Sequence, residues 1–318
     1  MHKVEICQAI TPLIGWDTVN SGPAQWSFGI PDSHLLPDIQ GLITNPSFPL
    51  TRERLTSMPN LVVVSSYGVG YDYIDVEAAS ELGILVTHTP HAVTQATAEL
   101  GLTLVLALMR HIVIHDRAVR QESNSPHPML SHHAILAHDA SSQTVGLVGY
   151  GRIGQRLGQL LDAVGFQVLY TRAHGPLADH PGYRDLHSLL EEADIVVLAL
   201  PLTPDTRHVL NSSTIKLMKP TAQIVNIGRG PCIDERALVD GLQTQQIAGA
   251  ALDVFEFEPR VSKALLHMPQ VILSPHVGTL TKETRIEMTR DAVSNILAAL
   301  DGCDQNAVNA QYWTRRPH

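Results

Sequence analysis

At 318 residues, 44% of them apolar and 17% charged, the chain is long enough for two domains and has the composition of an ordinary globular protein. A net charge of -9 excludes a broad nucleic-acid surface, because no basic stripe stands out to neutralise phosphates. Three scattered cysteines (Cys7, Cys232, Cys303) exclude a disulfide framework, and neither a continuous apolar leader core nor a bilayer-length apolar run is present. The expectation is a cytoplasmic protein without nucleic-acid or membrane partners.

Short apolar runs at 4–6, Gly41–Thr44, 61–65 and 84–87 each end in turn or polar residues, which predicts strands joined by helical crossovers in a small parallel α/β layer. Two loops placed just after strands hold Thr44-Asn45-Pro46 and Ser66-Tyr67-Gly68-Val69-Gly70. In open α/β sheets ligands lie beyond the carboxyl ends of strands, so a small substrate is expected there. Gly68 and Gly70 allow bare backbone N–H groups to converge on an anion.

The stretch 94–110, TQATAELGLTLVLALMR, is helical in composition and apolar almost all round from Leu100 on. Such a helix must be covered on several sides, by another domain or a second subunit. Residues 121–142 are rich in Ser, Pro and His without a clean period. His127, His132, His133 and His138 have no carboxylate or cysteine at ligand spacing, so a solvated loop and no metal is expected.

The strongest local signal follows. VGLVGYGRIGQRL (145–157) carries Gly149, Gly151 and Gly154 as G-x-G-x-x-G, after a predicted strand Thr144–Val148 and before a predicted helix over 153–164. In that context the first glycine makes a tight turn, the second admits a pyrophosphate to the backbone, and the third lets helix and strand pack closely. Free N–H groups at the helix start complete the anion site. Further strands at 167–170, 195–200, Gln223–Asn226, 248–254 and Val271–Leu273 give a six-stranded, doubly wound parallel sheet. The last helix is expected at 283–300, where Val293, Ile296, Leu297 and Leu300 share one face and Gly302 stops it.

About twenty residues beyond the first glycine, where a carboxylate would hold a ribose 2′-hydroxyl, stand Thr171 and Arg172. Threonine can donate to a 2′-phosphate and arginine can pair with it, so NADP(H) is predicted over NAD(H). Three polar positions also fall just past strand ends on one sheet edge: Arg229 in NIGRG, Glu258 in LDVFEFEP and His276 in LSPHVG. Together they suit reduction of a 2-oxo acid: the arginine clamps a carboxylate and polarises a carbonyl, the histidine gives the proton, and the acid keeps it protonated.

In those residues the chain resembles the D-isomer-specific 2-hydroxyacid dehydrogenase family over nearly its whole length, in the manner of its NADP-dependent glyoxylate and hydroxypyruvate reductases. The matching stretches are SSYGVGYDYID (65–75), VTHTP (86–90), VGYGRIG (148–154), PLTPDTRHVLN (201–211), NIGRG (226–230), ALDVFEFEP (251–259) and SPHVG (274–278). The resemblance implies that Arg229, Glu258 and His276 are the catalytic trio, and that the substrate-binding loop is Tyr67, Gly68, Val69, Gly70, with Val69 and Gly70 binding the substrate carboxylate by backbone N–H. It implies further cofactor contacts from Arg152 and Ile153 at the pyrophosphate, from Pro201, Thr206, Ile227 and Gly278 along the groove, and from Asp253 at the nicotinamide end.

The resemblance also implies two Rossmann-like or flavodoxin-like lobes, each a doubly wound parallel sheet, with a cleft between them. A discontinuous substrate domain would take 1–97 plus 284–318, a dinucleotide-binding domain 98–283, and the helix at 94–110 would build a homodimer. The sequence departs from the usual family pattern at AHDASSQTVG (137–146) and at His88 and His91 around Thr89-Pro90. Alternatives remain: Phe48, Leu50 and Tyr71 could line a pocket for bulkier aromatic or branched 2-oxo acids, and the same fold serves dinucleotide-sensing interaction proteins such as the C-terminal binding protein corepressors.

Overall fold

A computed structural model describes residues 2–7, 13–19, 22, 24–29, 38–121, 136–178 and 180–315. The chain divides into two units, Met1–Thr94 with Thr279–His318, and Gln95–Gly278. The junctions fall a few residues before the 97/98 and 283/284 positions expected from sequence.

The first unit opens with β1 (Lys3–Cys7), β2 (Gln25–Gly29), β3 (Gly41–Thr44), α1 (Arg52–Thr56), β4 (Val63–Ser66), α2 (Val76–Glu81) and β5 (Leu85–Thr87). All five strands are parallel, in the order β2-β1-β3-β4-β5. Strands β3 and β4 are buried along their whole length, and the apolar residues that mark them, Leu42-Ile43 and Val63-Val64, give way to buried Thr44, Ser65 and Ser66 at their ends. Strand β2 went unread because it is an edge strand: Trp26 and Phe28 alternate with polar residues, Phe28 is exposed, and Trp16 packs edge-on against both rings. Side chains of Thr51 and Asp75 accept N–H bonds at the starts of α1 and α2.

The second unit holds α3 (Thr94–Met109, with its first residue in the first unit), α4 (Ile112–Gln121), β6 (Thr144–Val148), α5 (Arg152–Val164), β7 (Gln167–Thr171), α6 (Leu186–Glu192) and β8 (Ile195–Leu198). It continues through α7 (Ser212–Ile215), β9 (Gln223–Asn226), α8 (Glu235–Gln243), β10 (Gly249–Leu252), α9 (Lys263–Leu266) and β11 (Val271–Leu273). The chain then returns to the first unit as α10 (Lys282–Leu300), which lies against β3 and β4.

The second sheet is parallel throughout, in the order β11-β10-β9-β8-β6-β7. Beyond β7 a single parallel bridge pairs Tyr170 with Tyr183. Counted as a strand, it gives the 3-2-1-4-5-6 order of a doubly wound fold with β11 added as a seventh at the far edge, and the switch point lies between β6 and β8. Helix α3 buries Ala98, Leu104, Val105, Leu108 and Met109 in this unit's core. Gly101 is needed there, because a Cβ would stand 2.9 Å from Ile227 and 3.0 Å from Leu157. Among the described residues no single helix is long and apolar enough to cross a membrane. His127, His132 and His133 lie outside the described residues, and His138 is exposed.

Candidate active site

Because all strands of the second sheet are parallel, the turns after β6 to β11 share one edge, and every predicted cofactor and catalytic residue of this unit sits there or at the start of α5. Gly149 follows β6 at φ 100°, and a Cβ on it would lie 2.6 Å from the Ala199 carbonyl oxygen. A Cβ on Gly154 would come within 2.2 Å of the Gly149 carbonyl oxygen, whereas one on Gly151 would meet nothing within 4 Å. So Gly149 and Gly154 make the turn and the close packing, and Gly151 faces open space. Gly151 is the N-cap of α5 and brings no capping side chain, which leaves the first-turn amides of Arg152, Ile153 and Gly154 for an anion. Beneath the turn, the Tyr150 ring stacks on Tyr170 at 4.1 Å and its hydroxyl meets His180 Nε2 at 2.8 Å.

These features fit a dinucleotide. At the end of β7, Thr171 gives its carbonyl to the Gly149 N–H at 3.1 Å, and Arg172 stands half-buried with no side-chain partner among the described residues. After β8, Thr206 closes its own turn by donating to the Pro201 carbonyl at 2.7 Å. Ile227, after β9, is buried and donates its N–H to Leu198.

The trio assembles within this one unit. His276 Nδ1 lies 3.1 Å from Glu258 Oε2, with the two side chains 44% and 33% exposed. The other carboxylate oxygen, Oε1, accepts the Phe255 N–H at 2.9 Å. Burial alone would push the Glu258 carboxyl up, but the His276 hydrogen bond and charge, the Phe255 N–H and the charge of Arg229 outweigh it and hold the carboxyl below its ordinary value. The ionised carboxylate can only accept, so the proton between them sits on Nδ1 and the Nε2 end is left for chemistry. Arg229 donates from Nη1 to the Gly228 carbonyl at 2.9 Å, and its own carbonyl accepts from Asn226 Nδ2 at 3.0 Å. The flanking Gly230 is obligatory: a Cβ would fall 1.8 Å from the Phe255 oxygen.

His276 adopts φ 54°, a left-handed conformation that costs a non-glycine residue free energy and has to be held by its surroundings. Asp253 does the holding. Only 2% exposed, it accepts from Ser274 Oγ at 2.6 Å and Val277 N–H at 2.9 Å on one oxygen, and from Gly278 N–H at 2.9 Å on the other, while its carbonyl takes the His276 N–H at 2.8 Å. Its carboxylate is thus spent on the histidine loop.

A second clamp escaped the sequence reading. Buried Glu256 accepts from His208 Nε2 at 2.6 Å and from the Glu235 N–H at 3.0 Å, and Glu235 in turn accepts the N–H groups of Glu256 at 3.2 Å and Ser262 at 3.1 Å. Together they pin both ends of the loop that carries Glu258. His208 and Glu256 stand inside PLTPDTRHVLN and ALDVFEFEP, so the motifs held the signal and only the pairing was missing.

In the first unit, the loop after β4 is built to expose amides. Gly68 sits at φ 155°, and its carbonyl accepts the Thr89 N–H at 2.9 Å, while the Gly70 carbonyl accepts Ser66 Oγ–H at 2.7 Å. The N–H groups of Val69 and Gly70 have no acceptor among the described residues. Tyr67 is different: its ring is buried, its N–H goes to the Thr44 carbonyl, and its hydroxyl meets α10 at Arg285 O and Thr289 Oγ1, both 3.1 Å away. Leu50 is fully buried in this unit's core and lines no open surface, whereas Phe48 is partly buried against that core with the Arg54 guanidinium 4.4 Å from its ring centroid.

A glycine turn, an uncapped helix start and an acid-backed histidine on one parallel-sheet edge define a nicotinamide-dinucleotide oxidoreductase of the doubly wound class. The family of that class described as "D-isomer specific 2-hydroxyacid dehydrogenase, NAD binding domain" matches residues 102–278. A glyoxylate reductase of Thermococcus gammatolerans is 39% identical over 274 residues, covering 83% of this chain and 81% of that one. The crystal structure of the TT0316 protein from Thermus thermophilus superposes with a TM-score of 0.85 at 33% identity, covering 96% of this chain and 99% of the other. An NADPH-dependent glyoxylate/hydroxypyruvate reductase from Sinorhizobium meliloti, solved with NADP and malonate, gives 0.85 at 30% identity over 100% and 99%. The chain belongs to the D-isomer-specific 2-hydroxyacid dehydrogenase family.

Proposed function

We propose that this protein reduces a small 2-oxo acid of the glyoxylate or hydroxypyruvate type to the D-2-hydroxy acid, with NADP(H) preferred over NAD(H). The observation that carries the chemistry is the 3.1 Å contact from His276 Nδ1 to a Glu258 carboxylate held ionised beside Arg229. A bound nicotinamide supplies the hydride. The protein's part is to deliver a proton from His276 Nε2 to the C2 oxygen as negative charge develops there, with Glu258 stabilising the imidazolium and fixing its ring. Arg229 draws the carbonyl oxygen and carboxylate of the substrate toward its guanidinium, and the N–H groups of Val69 and Gly70 take the carboxylate.

Arg172, which has no side-chain partner among the described residues, and the absence of a carboxylate at position 171 support the NADP(H) preference. Burial of Leu50 supports a small substrate side chain. Exposed Ile112 and Val119 on α4, after a helix α3 whose Leu100, Leu102 and Leu106 are only partly buried, support a homodimer. A cytoplasmic location completes the proposal. Its test is a panel of glyoxylate, hydroxypyruvate, phenylpyruvate and 4-methyl-2-oxopentanoate with NADPH and with NADH. Turnover confined to the bulky acids overturns the substrate class, and no turnover on any of them favours a dinucleotide-sensing protein.

A further inference from the structure

The loop after β4 presents two amides only because its carbonyls are turned away, and each carbonyl has its own donor. Gly68 is tied through the Thr89 backbone and Gly70 through Ser66. Between them, the Val69 carbonyl lies 2.9 Å from His88 Nδ1. A carbonyl can only accept, so Nδ1 carries the proton and the tautomer is set. The His88 ring stands edge-on to Tyr71 with centroids 5.5 Å apart. Its backbone is fixed on both sides, the carbonyl accepting from Asn295 Nδ2 at 2.9 Å and the N–H donating to Asn306 O at 3.3 Å. Asn295 is itself fully buried on α10 and accepts from Asn306 Nδ2 at 2.9 Å. The imidazole is therefore braced by a helix, a second loop and an aromatic ring, and its Nδ1 bond goes to the peptide unit whose nitrogen belongs to Gly70.

We propose that His88 is a positioning residue for substrate: by holding the Val69 carbonyl inward, it turns the Val69–Gly70 peptide so that the Gly70 N–H points outward for the carboxylate of a 2-oxo acid. The inference rests on the assignment of that carboxylate to Val69 and Gly70. A peptide plane is rigid, so fixing its oxygen fixes its N–H on the opposite side. The carboxylate does not react, and a contact to it is equally strong before and at the transition state. Loss of the brace then acts on the KM of the oxo acid and leaves kcat and the cofactor alone.

The test is steady-state kinetics with glyoxylate and NADPH, together with oxamate inhibition, on the wild type and three variants. An asparagine amide nitrogen reaches the place of a histidine Nδ1, and a glutamine nitrogen reaches that of Nε2. His88→Ala should raise the glyoxylate KM and the oxamate inhibition constant on the order of tenfold, with kcat and the NADPH KM within about twofold. His88→Asn should recover most of the loss, and His88→Gln should behave as His88→Ala. An unchanged glyoxylate KM in His88→Ala, or no advantage of Asn over Gln, overturns the proposal. A wild type inactive on every 2-oxo acid defeats the carboxylate assignment itself, whereas an active wild type matched by His88→Ala defeats only the role of His88.

Discussion

Replacing Asp253 by Asn tests whether this carboxylate holds the histidine loop. The native side chain accepts three hydrogen bonds, two on Oδ1 and one on Oδ2, in a position 2% exposed to solvent. Asparagine has one acceptor oxygen, and its best placement keeps the Ser274 and Val277 bonds and turns an NH2 group toward the buried Gly278 N–H. One charge-assisted bond is lost and one buried donor is stranded, a cost of about 3 kcal/mol. For a unit the size of Gln95–Gly278 each kcal/mol moves Tm by roughly 2–4 °C, so the variant should melt about 6–12 °C lower. His276 sits between two of the tethered residues, and an ångström of displacement there lowers kcat on the order of a hundredfold. Differential scanning calorimetry and NADPH oxidation with glyoxylate measure the two effects. A variant that melts within about 2 °C of wild type and keeps kcat within about twofold refutes the clamp, since the estimate requires both to move.

Two further outcomes follow from the same geometry. Arg172→Ala should raise the NADPH KM about tenfold or more and leave the NADH KM nearly unchanged, because only the former carries a 2′-phosphate to lose its charged partner. Equal effects on both cofactors, measured by initial rates, would remove Arg172 from the cofactor site. The Glu258 carboxyl is held below its ordinary value of 4.5, so the stability it contributes is present above that value and is lost as pH falls through the lower, folded-state value. The Tm gap between wild type and Glu258→Gln should accordingly be steady above that ordinary value and close as the pH falls below it; a gap that widens on acidification contradicts the sign.

The parts of the fold legible in the sequence were those whose cause is local. Gly41–Thr44 and Gln223–Asn226 are buried along their whole length and carry apolar pairs, Leu42-Ile43 and Ile224-Val225, at their centres. The G-x-G-x-x-G turn could be read because backbone geometry at Gly149 and Gly154 admits no side chain. What went unread depends on distant partners. Strand β2 has the weak alternation of an edge, and the third strand of the doubly wound order survives as the single Tyr170–Tyr183 bridge, too short for any periodicity. The trio residues were visible through their motifs and strand ends. Their supports were not, because Asp253 acts on Ser274, and Glu256 on His208 and Glu235, across turns and helices that no window along the chain spans. Tyr67 shows the converse: it stands within the glycine-rich loop motif, yet its ring serves the packing of α10.

The most direct measurement of the central claim is NADPH oxidation with glyoxylate by wild type and by His276→Ala, with the NADPH Kd of each taken from fluorescence titration. The account predicts that kcat falls by about 10²–10⁴ while Kd stays within about twofold, as loss of a general acid requires. A His276→Ala enzyme that keeps wild-type kcat would contradict it.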